Sequence, residues 1–477
     1  MAAGSALTPT SSSSPAEGDR LTFHWTTDAP DAKNWVGIYD GSRQPGTGSS
    51  LLWKYTPGTS GDVQLDTSAL TGGPYTAYLL AKDGYGILAR TAPFSFRPKP
   101  PVVRPHAAVD SFTATPVAPG AAVRIKLGGL WSRPAGNAPG SAAYRKLGGA
   151  AWASVAADGT VTGTAPAAGR NPEPVVVGVK DSTGATDTVT VLVPVVDQAA
   201  PARLKAASWN LHDAGTGYTD ALEKQLRVVL AQGLDVLALQ ETGGERAKTL
   251  ADALGWYALQ SPGSVGILSR YPLTEPTAAT AELPAVAATV QLPGGRSVRF
   301  WAAHLDEAGY GPYAVQDGGT AAQVLAAENA SLRLKQAKAL AAAVRADAAR
   351  RVPVVLAGAL SSPSHLDWTA ATAAAHQGVG ALAWPVTTVL QAAGLTDTFR
   401  EENRDPAKTP GATWSPTRKR RGDRPEPQDR IDFVQYAGAL KLVEAHTLVA
   451  DWPQPEPNAA ANEWPSDTAA AVATFQL

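Results

Sequence analysis

Residues 203–240, RLKAASWNLHDAGTGYTDALEKQLRVVLAQGLDVLALQ, decide the fold class. Residues 204–209 form a short apolar run of strand length. Thr219 stands where a helix N-cap belongs, and Leu222, Leu226, Val229 and Leu230 follow it on one helical face. Gly233 is suited to ending that helix, and residues 236–239 read as a second strand. Strand, amphipathic helix and strand in succession are the unit of a layered α/β sheet.

The same alternation continues towards the C-terminus. Strands are expected at 298–303, 354–357 and 431–436, and a long Ala-rich helix at 331–350. The pattern on the N-terminal side is different. Residues 19–96 contain short alternating segments, such as 21–25 and 75–80, between clusters of Gly, Pro, Asp and Ser. Residues 97–105 hold four prolines and read as a stiff, extended linker. Residues 107–196 form a second β-rich block, with strands at 123–127, 175–179 and 188–193 and a hairpin-type turn at Asp158-Gly159. A second linker spans 196–203. The expected architecture is two all-β immunoglobulin-like sandwiches, 19–96 and 107–196, followed by an α/β sandwich at 203–477.

A formal net charge of -1 gives no global field for nucleic acid or an anionic membrane. The absence of cysteine excludes disulfides and thiolate metal sites. No apolar run reaches the ~20 residues of a membrane span. Residues 1–18 show no hydrophobic stretch of the signal-peptide kind. The Trp and Tyr residues of the N-terminal blocks are read as sandwich core rather than as a carbohydrate- or surface-binding face. The basic run Arg418-Lys419-Arg420-Arg421 is read as a solvated loop rather than as a cleft border that attracts an anionic substrate, and neighbouring acids dilute its field.

Polar residues recur at the ends of the C-terminal strands: Asn210, Gln240 and Glu241, His304, Asp432, and Asp467 before the last apolar run. Carboxylate and amide oxygens at neighbouring strand ends are hard ligands suited to a divalent cation, and histidine can serve a phosphate as hydrogen-bond or proton donor. Taken singly, each has a plain structural reading. Asn210 would be a turn residue, Glu241 a surface acid, His304 a satisfied histidine, Asp432 a partner of Arg430, and Asp467 a turn acid.

In order, Ser208-Trp209-Asn210-Leu211, Leu239-Gln240-Glu241-Thr242, Ala303-His304-Leu305, Gln428-Asp429-Arg430-Ile431-Asp432-Phe433 and Trp464-Pro465-Ser466-Asp467 resemble the motifs of the endonuclease/exonuclease/phosphatase family, which has the deoxyribonuclease-I-like fold. The resemblance is nearest to a secreted actinobacterial branch with N-terminal immunoglobulin-like modules. For those modules it rests on Asn34-Trp35-Val36-Gly37-Ile38-Tyr39 and Trp53-Lys54-Tyr55-Thr56-Pro57-Gly58. It implies that Asn210 and Glu241 hold a divalent metal, Mg²⁺ or Mn²⁺. It also implies that His304 contacts phosphate, that Asp432 orients a C-terminal histidine, and that Asp467 belongs to the motif supplying that histidine.

Three positions depart from the pattern. Gly358-Ala359-Leu360-Ser361 stands where the family has Gly-Asp-x-Asn, and Ser466-Asp467-Thr468 where it has Ser-Asp-His. Ala359, Ser361 and Thr468 therefore replace an aspartate, an asparagine and a histidine, and metal binding is expected to be weakened or absent. Three readings stay open at this point. One is a metal-dependent phosphoesterase with a degenerate site, using Asn210, Glu241 and His304 with His212 as a further catalytic candidate, that hydrolyses poorly or not at all. The second is an enzyme repurposed to another reaction, with His212, Asp213, Asp306 and Glu307 as local candidates. The third is a non-catalytic binding module, a pseudoenzyme. The expected partner is a small anionic or phosphorylated ligand, with no strong nucleic-acid signal. The protein is expected to be monomeric and, by resemblance, extracellular.

Overall fold

The computed structural model describes residues 4–10, 15, 20–41, 43–67, 70, 72–96, 105–132, 141–167, 174–196 and 203–477. Both expected linkers lie outside the described residues, apart from positions 105, 196 and 203. The chain divides into two compact units, Met1–Val103 and Arg104–Leu477. Among the described residues no helix is long and apolar enough to cross a membrane.

The first unit pairs a three-stranded sheet (Ala6–Pro9, Leu21–Thr26, Ser60–Leu65) with a four-stranded one (Leu52–Tyr55, Trp35–Asp40, Tyr75–Ala81, Gly86–Arg90). Phe23 and Trp25 from the first sheet meet Val36, Ile38 and Leu79 from the second in one core. The sheet begins earlier than residue 19, because Ala6–Pro9 pairs with Leu21–Thr26. Period-two alternation sends Val36 and Ile38 inward and puts Trp35 and Tyr39 on the opposite face with Tyr78 and Leu80. The expectation that the aromatics are core holds for Trp25 and fails for Trp53, Tyr55 and Tyr85, which are exposed. Trp53 and Tyr55 sit on an edge strand and Tyr85 in a turn, so nothing in their own sheet covers them.

In the second unit, residues 106–192 form a four-stranded sheet (Ala142–Gly149, Pro174–Asp181, Thr186–Leu192, Ser111–Thr113) and a three-stranded one (Ala122–Lys126, Thr160–Thr164, Ala153–Val155) around Val123, Val161, Val177 and Val191. This strand-rich block packs on the helices Ala221–Ala231 and Arg246–Leu254, sharing one hydrophobic core with them. Glu223 on the first helix binds His106 and Ser132 of the block. Gly129 lies so near Ala253 that a Cβ there would sit 2.4 Å from its backbone.

The rest of the unit is two facing six-stranded sheets. The central strands of one are Val236–Gln240, Arg203–Asn210 and Ala470–Gln476; those of the other are Arg296–His304, Val354–Ala359 and Asp432–Ala437. Leu204, Ala206, Val236 and Ile267 of one sheet meet Phe300, Ala302, Val355 and Val434 of the other. The helices Leu332–Ala348 and Pro385–Ala392 cover the outer face of the second sheet. Ser331 caps the longer of these by accepting from the Leu334 N–H. Thr219 is not the expected cap of the Ala221–Ala231 helix. Asp220 holds that position, without a side-chain cap bond, and the Thr219 hydroxyl instead donates to the Ala460 carbonyl.

Candidate functional site

The ends of the central strands of both sheets meet at one edge of the sandwich. Asn210 and His304 end their strands, Glu241 follows Val236–Gln240, Ala359 ends Val354–Ala359, and Asp432 begins Asp432–Ala437. His304 is paired with Ala359 and Ala359 with Asp432, so the three stand in one row across adjacent strands. These five residues, with Ser361 and Thr468, line one cavity of about 340 Å³. Glu307, Tyr310, Tyr313, Trp414 and Arg418 complete its wall. The strand-end pattern in the sequence therefore corresponds to a shared cleft, with the three departing positions inside it.

The local backbone is held in unusual conformations. Glu241 and Ser361 both have φ of +52°, and His212, Asp213 and Ala214 have φ of +50°, +47° and +59°. Left-handed conformation is disfavoured for residues with a Cβ and persists where surrounding contacts impose it. Here the imposing contacts are visible. The Asp213 N–H donates to Glu241 Oε2 at 3.1 Å, the His212 N–H to Asn210 Oδ1 at 2.9 Å, and the Ala214 N–H to the Glu241 carbonyl. Asn210 Nδ2 donates to Glu241 Oε1 at 2.7 Å. The C-terminal segment is pinned to the same strand end. Ser466 donates to the Asn210 carbonyl at 2.7 Å, the Trp464 indole donates to the Thr468 carbonyl at 2.9 Å, and Trp464 stacks on Trp209.

His212 and Asp467 meet beside the cavity rather than lining it. His212 Nδ1 lies 3.1 Å from Asp467 Oδ2, which Arg418 Nε also approaches at 3.1 Å. The hydrogen bond to Asp467 raises the His212 pKa against the opposing effect of burial. His304 goes the other way: burial lowers its pKa, outweighing Glu241 and Glu307, so its neutral form is favoured. Its Nδ1 is 3.1 Å from the Ser264 hydroxyl. Of the other local candidates, Asp213 contributes its backbone N–H, Asp306 gives its N–H to Gln336, and Glu307 lines the cavity.

Asp432 is the least satisfied group in the cleft. It is fully buried, and neither carboxylate oxygen has a hydrogen-bond partner in the protein. The Thr413 hydroxyl is near enough to favour the charge, but it accepts from the Asp432 backbone N–H at 3.1 Å. Burial, with lesser repulsion from Asp467 and Glu241, pushes Asp432 up to about 8. Arg430, its partner in the simple sequence reading, binds Asp367 and Asp397 instead. The Thr468 hydroxyl turns to Asp467 Oδ1 at 3.2 Å and gives Asp432 nothing.

This has a consequence for stability. An unfolded aspartate ionises near pH 3.9, whereas Asp432 in the folded chain keeps its proton to about pH 8. The folded state thus binds more protons between these values, and its stability falls as pH rises through that window. Asp432→Asn is expected to stabilise the protein, and by more at pH 8 than at pH 5. Urea unfolding of both proteins at the two pH values measures this, and an equal difference at each pH would contradict it.

The oxygens that would hold a divalent cation have other partners in this structure. Both Glu241 oxygens and the Asn210 amide oxygen are engaged by N–H donors, Asp467 is engaged by His212 and Arg418, and Asp432 favours its proton. Among the described residues no three His, Cys, Asp or Glu side chains form a group able to hold a metal. Asn210 and Glu241 are together as expected, but bonded to each other.

Several wall residues were not singled out in the sequence as site residues. Tyr310 donates to Asp429 at 3.1 Å, Tyr313 to Glu426 at 2.6 Å, and the Trp414 indole to Glu426 at 2.8 Å. Asp429 also accepts from the Trp368 indole at 2.8 Å, and burial pushes it up to about 6. Within the basic run only Arg418 reaches the cavity, over the face of Trp414. Arg421 is bound to Asp317, as is Arg424 beyond the run. In sequence these aromatics stand in Tyr310-Gly311-Pro312-Tyr313 and Thr413-Trp414-Ser415-Pro416, where nothing local distinguishes a cleft wall from a core.

Residues 207–467 match the sequence model of the Endonuclease/Exonuclease/phosphatase family. An uncharacterized protein of Caenorhabditis elegans is 32% identical over 292 residues, covering 57% of this chain and 91% of its own. Solved structures to which this region is similar include an endonuclease/exonuclease/phosphatase from Beutenbergia cavernae (21% identity, 58% of this chain and 72% of that one, TM-score 0.39). Another is the mannosyl-6-phosphatase Bt3783 of Bacteroides thetaiotaomicron (14% identity, 57% and 99%, TM-score 0.39).

Proposed function

The chain belongs to the endonuclease/exonuclease/phosphatase family, and from that premise we propose that its C-terminal cleft binds a phosphorylated or small anionic ligand and hydrolyses phosphoesters poorly or not at all. Members of this family are phosphoesterases and generally use divalent metals. One observation carries the reading: Ala359, Ser361 and Thr468 line the same cavity as Asn210, Glu241, His304 and Asp432. The binding groups of a phosphate site remain. Neutral His304 can donate to a phosphoryl oxygen, and the Arg418 guanidinium, shared with Asp467 and Glu456, stands at the rim where an anion would compete for it. The groups that would move protons are replaced. A methyl at 359 cannot accept a proton from water, and a hydroxyl at 468 does not titrate near neutrality as an imidazole does. One lost general acid or base costs roughly 10²–10⁴-fold in rate.

The full chain is expected to bind inorganic phosphate, weakly in His304→Ala and Arg418→Ala. It is expected to turn over bis(p-nitrophenyl) phosphate far below the ~1–10³ s⁻¹ of ordinary enzymes, with or without Mg²⁺ or Mn²⁺. Chelator-sensitive turnover within that range would overturn the reading, as would phosphate binding that ignores both substitutions. The wider setting is part of the same proposal: a secreted protein whose two strand-rich regions are immunoglobulin-like modules, on the strength of the motifs around Trp35 and Trp53 and the paired sheets.

A second reading has the His212–Asp467 pair in its favour. Two histidines pushed in opposite directions resemble an acid and a base set apart by their surroundings. If His212 does the work of the missing imidazole, His212→Gln removes the residual turnover and its acid limb in the pH profile, whereas Thr468→Val changes neither. Unchanged turnover in His212→Gln excludes this.

A further inference from the structure

The outward face of the four-stranded sheet in the first unit is aromatic where a solvated sheet face should be polar. Trp35 and Tyr39 from one strand, Tyr78 from the next and Trp53 and Tyr55 from the edge strand occupy it, with Tyr85 from a turn. Trp35, Tyr39, Trp53, Tyr55 and Tyr85 line, with Asp83, a second cavity of about 340 Å³. Three of these rings are far from buried: Trp53 is 52% exposed, Tyr55 47% and Tyr85 55%. Gly37 makes this face possible, because a Cβ there would lie 2.6 Å from the Trp35 indole.

The rings form walls rather than a platform. Trp53 stands at 77° to Trp35 with centroids 6.1 Å apart, Tyr85 at 72° to Trp35 and 6.3 Å away, and Tyr55 at 81° to Trp53 and 5.1 Å away. In each of these neighbouring pairs the rings stand nearly perpendicular, so they form corners rather than one continuous flat platform. A compact, roughly spherical group can contact several faces at once. Asp83 on the rim adds negative charge, and the Lys33 and Tyr55 hydrogen bonds hold its carboxyl below the usual range. Each of its oxygens has a partner: Oδ1 accepts from the Tyr55 hydroxyl at 2.7 Å and Oδ2 faces Lys33 Nζ at 2.7 Å. Lys33 itself is not part of the lining. A cation bearing N–H groups would compete with Lys33 for Asp83 and would trade hydrogen bonds to water for aromatic faces. A methylated cation has no such donors, and the negative ring faces attract it directly. Deeper in the cavity, the fully buried Tyr39 hydroxyl has no hydrogen-bond partner; Ser50, also in the lining, acts on it from beyond bonding distance.

We infer that this cavity is a binding site for a small quaternary ammonium with a hydroxylated arm, of the choline class, its methyl groups among Trp35, Trp53 and Tyr85 and its hydroxyl towards Tyr39. The site is independent of the C-terminal cleft.

Choline titrated into the full chain, followed by saturation transfer to its N-methyl protons and by calorimetry, tests this. Binding should be lost in Trp53→Ala and Tyr85→Ala, both exposed enough to leave the fold intact by circular dichroism, and kept in Glu241→Ala. The neutral isostere 3,3-dimethylbutanol should bind at least ~10-fold more weakly, since the cation–ring attraction is missing. No choline binding at millimolar concentration overturns the inference. So does equal affinity for the isostere, binding that survives Trp53→Ala, or saturation transfer to glucose or N-acetylglucosamine in place of choline.

Discussion

Ala359→Asp, Ser361→Asn and Thr468→His, introduced together, are expected to raise phosphodiester turnover by at least ~10³-fold and to make it depend on added Mg²⁺ or Mn²⁺. The reason lies in the row His304, Ala359, Asp432 across three adjacent strands. An aspartate at 359 alone would stand beside Asp432, which already favours its proton and has no partner. Two carboxyls in that position would resist ionising together, and the new one would be a poor base. A histidine at 468 changes this. Thr468 lines the same cavity as Asp432, and an imidazolium there would draw the Asp432 carboxyl down into its ionised form. Ala359→Asp by itself is therefore expected to gain less than ~10-fold, and Thr468→His should come before it in any stepwise series. Initial rates on bis(p-nitrophenyl) phosphate, with and without chelator, measure the set. If the triple variant folds but stays as slow as the parent, the cleft has been remodelled beyond these three positions. If the parent is already fast, the reading of the three positions fails.

Arg430→Met is expected to cost about 3–5 kcal/mol, the largest stability effect of any single substitution considered. Arg430 is buried, with Nη2 at 2.9 Å from Asp367 and 2.8 Å from Asp397, Nε at 3.0 Å from Asp367 and Nη1 at 3.0 Å from Asp397. Its guanidinium also lies over the rings of Phe399 and Phe433. The Arg400 side chain shares Asp367 but makes no hydrogen bond to Asp397. Removing Arg430 leaves Asp397 buried without a countercharge, and a buried charge deprived of its partner is far costlier than the intact pair is stabilising. Asp397 also accepts from the N–H groups of Phe399 and Arg400, so the Thr398–Glu402 helix should loosen with it. Equilibrium urea unfolding gives the difference directly; a loss under ~1 kcal/mol would mean the pair is solvated in a way its burial does not suggest. Restoring neutrality with Asp397→Asn in the Arg430→Met background should recover part of the loss.

The two predictions depend on information of different kinds. The identities at 359, 361 and 468 and the order of strands around them were legible because each strand end carries a short local motif. Period-two and 3.6-residue patterns also placed the central strands and the long helix within a few residues. The Arg430 network was not legible, and Arg430 beside Asp432 in sequence invited the wrong pairing. Arg430 precedes the strand that Asp432 begins, and folding brings Asp367 and Asp397 to its guanidinium while Asp432 faces the cleft. The cap at Asp220 escaped for a similar reason: Thr219 is chemically suited to capping but is held by a carbonyl 241 residues later.

The amino-acid sequence, without any coordinates, determined the family, the α/β character of residues 203–477, the strand-rich N-terminal half and the identities Ala359, Ser361 and Thr468 at the departing positions. Folding alone decided that those positions share a cavity, that Asp432 is left buried and unpaired, that His212 finds Asp467, and that an aromatic sheet face is turned outward. Hydrophobic periodicity records which side of each element is buried, since that is a property of neighbours along the chain. Which buried side meets which, and which charged group lies across the gap, depends on strand order and loop paths linking residues hundreds of positions apart.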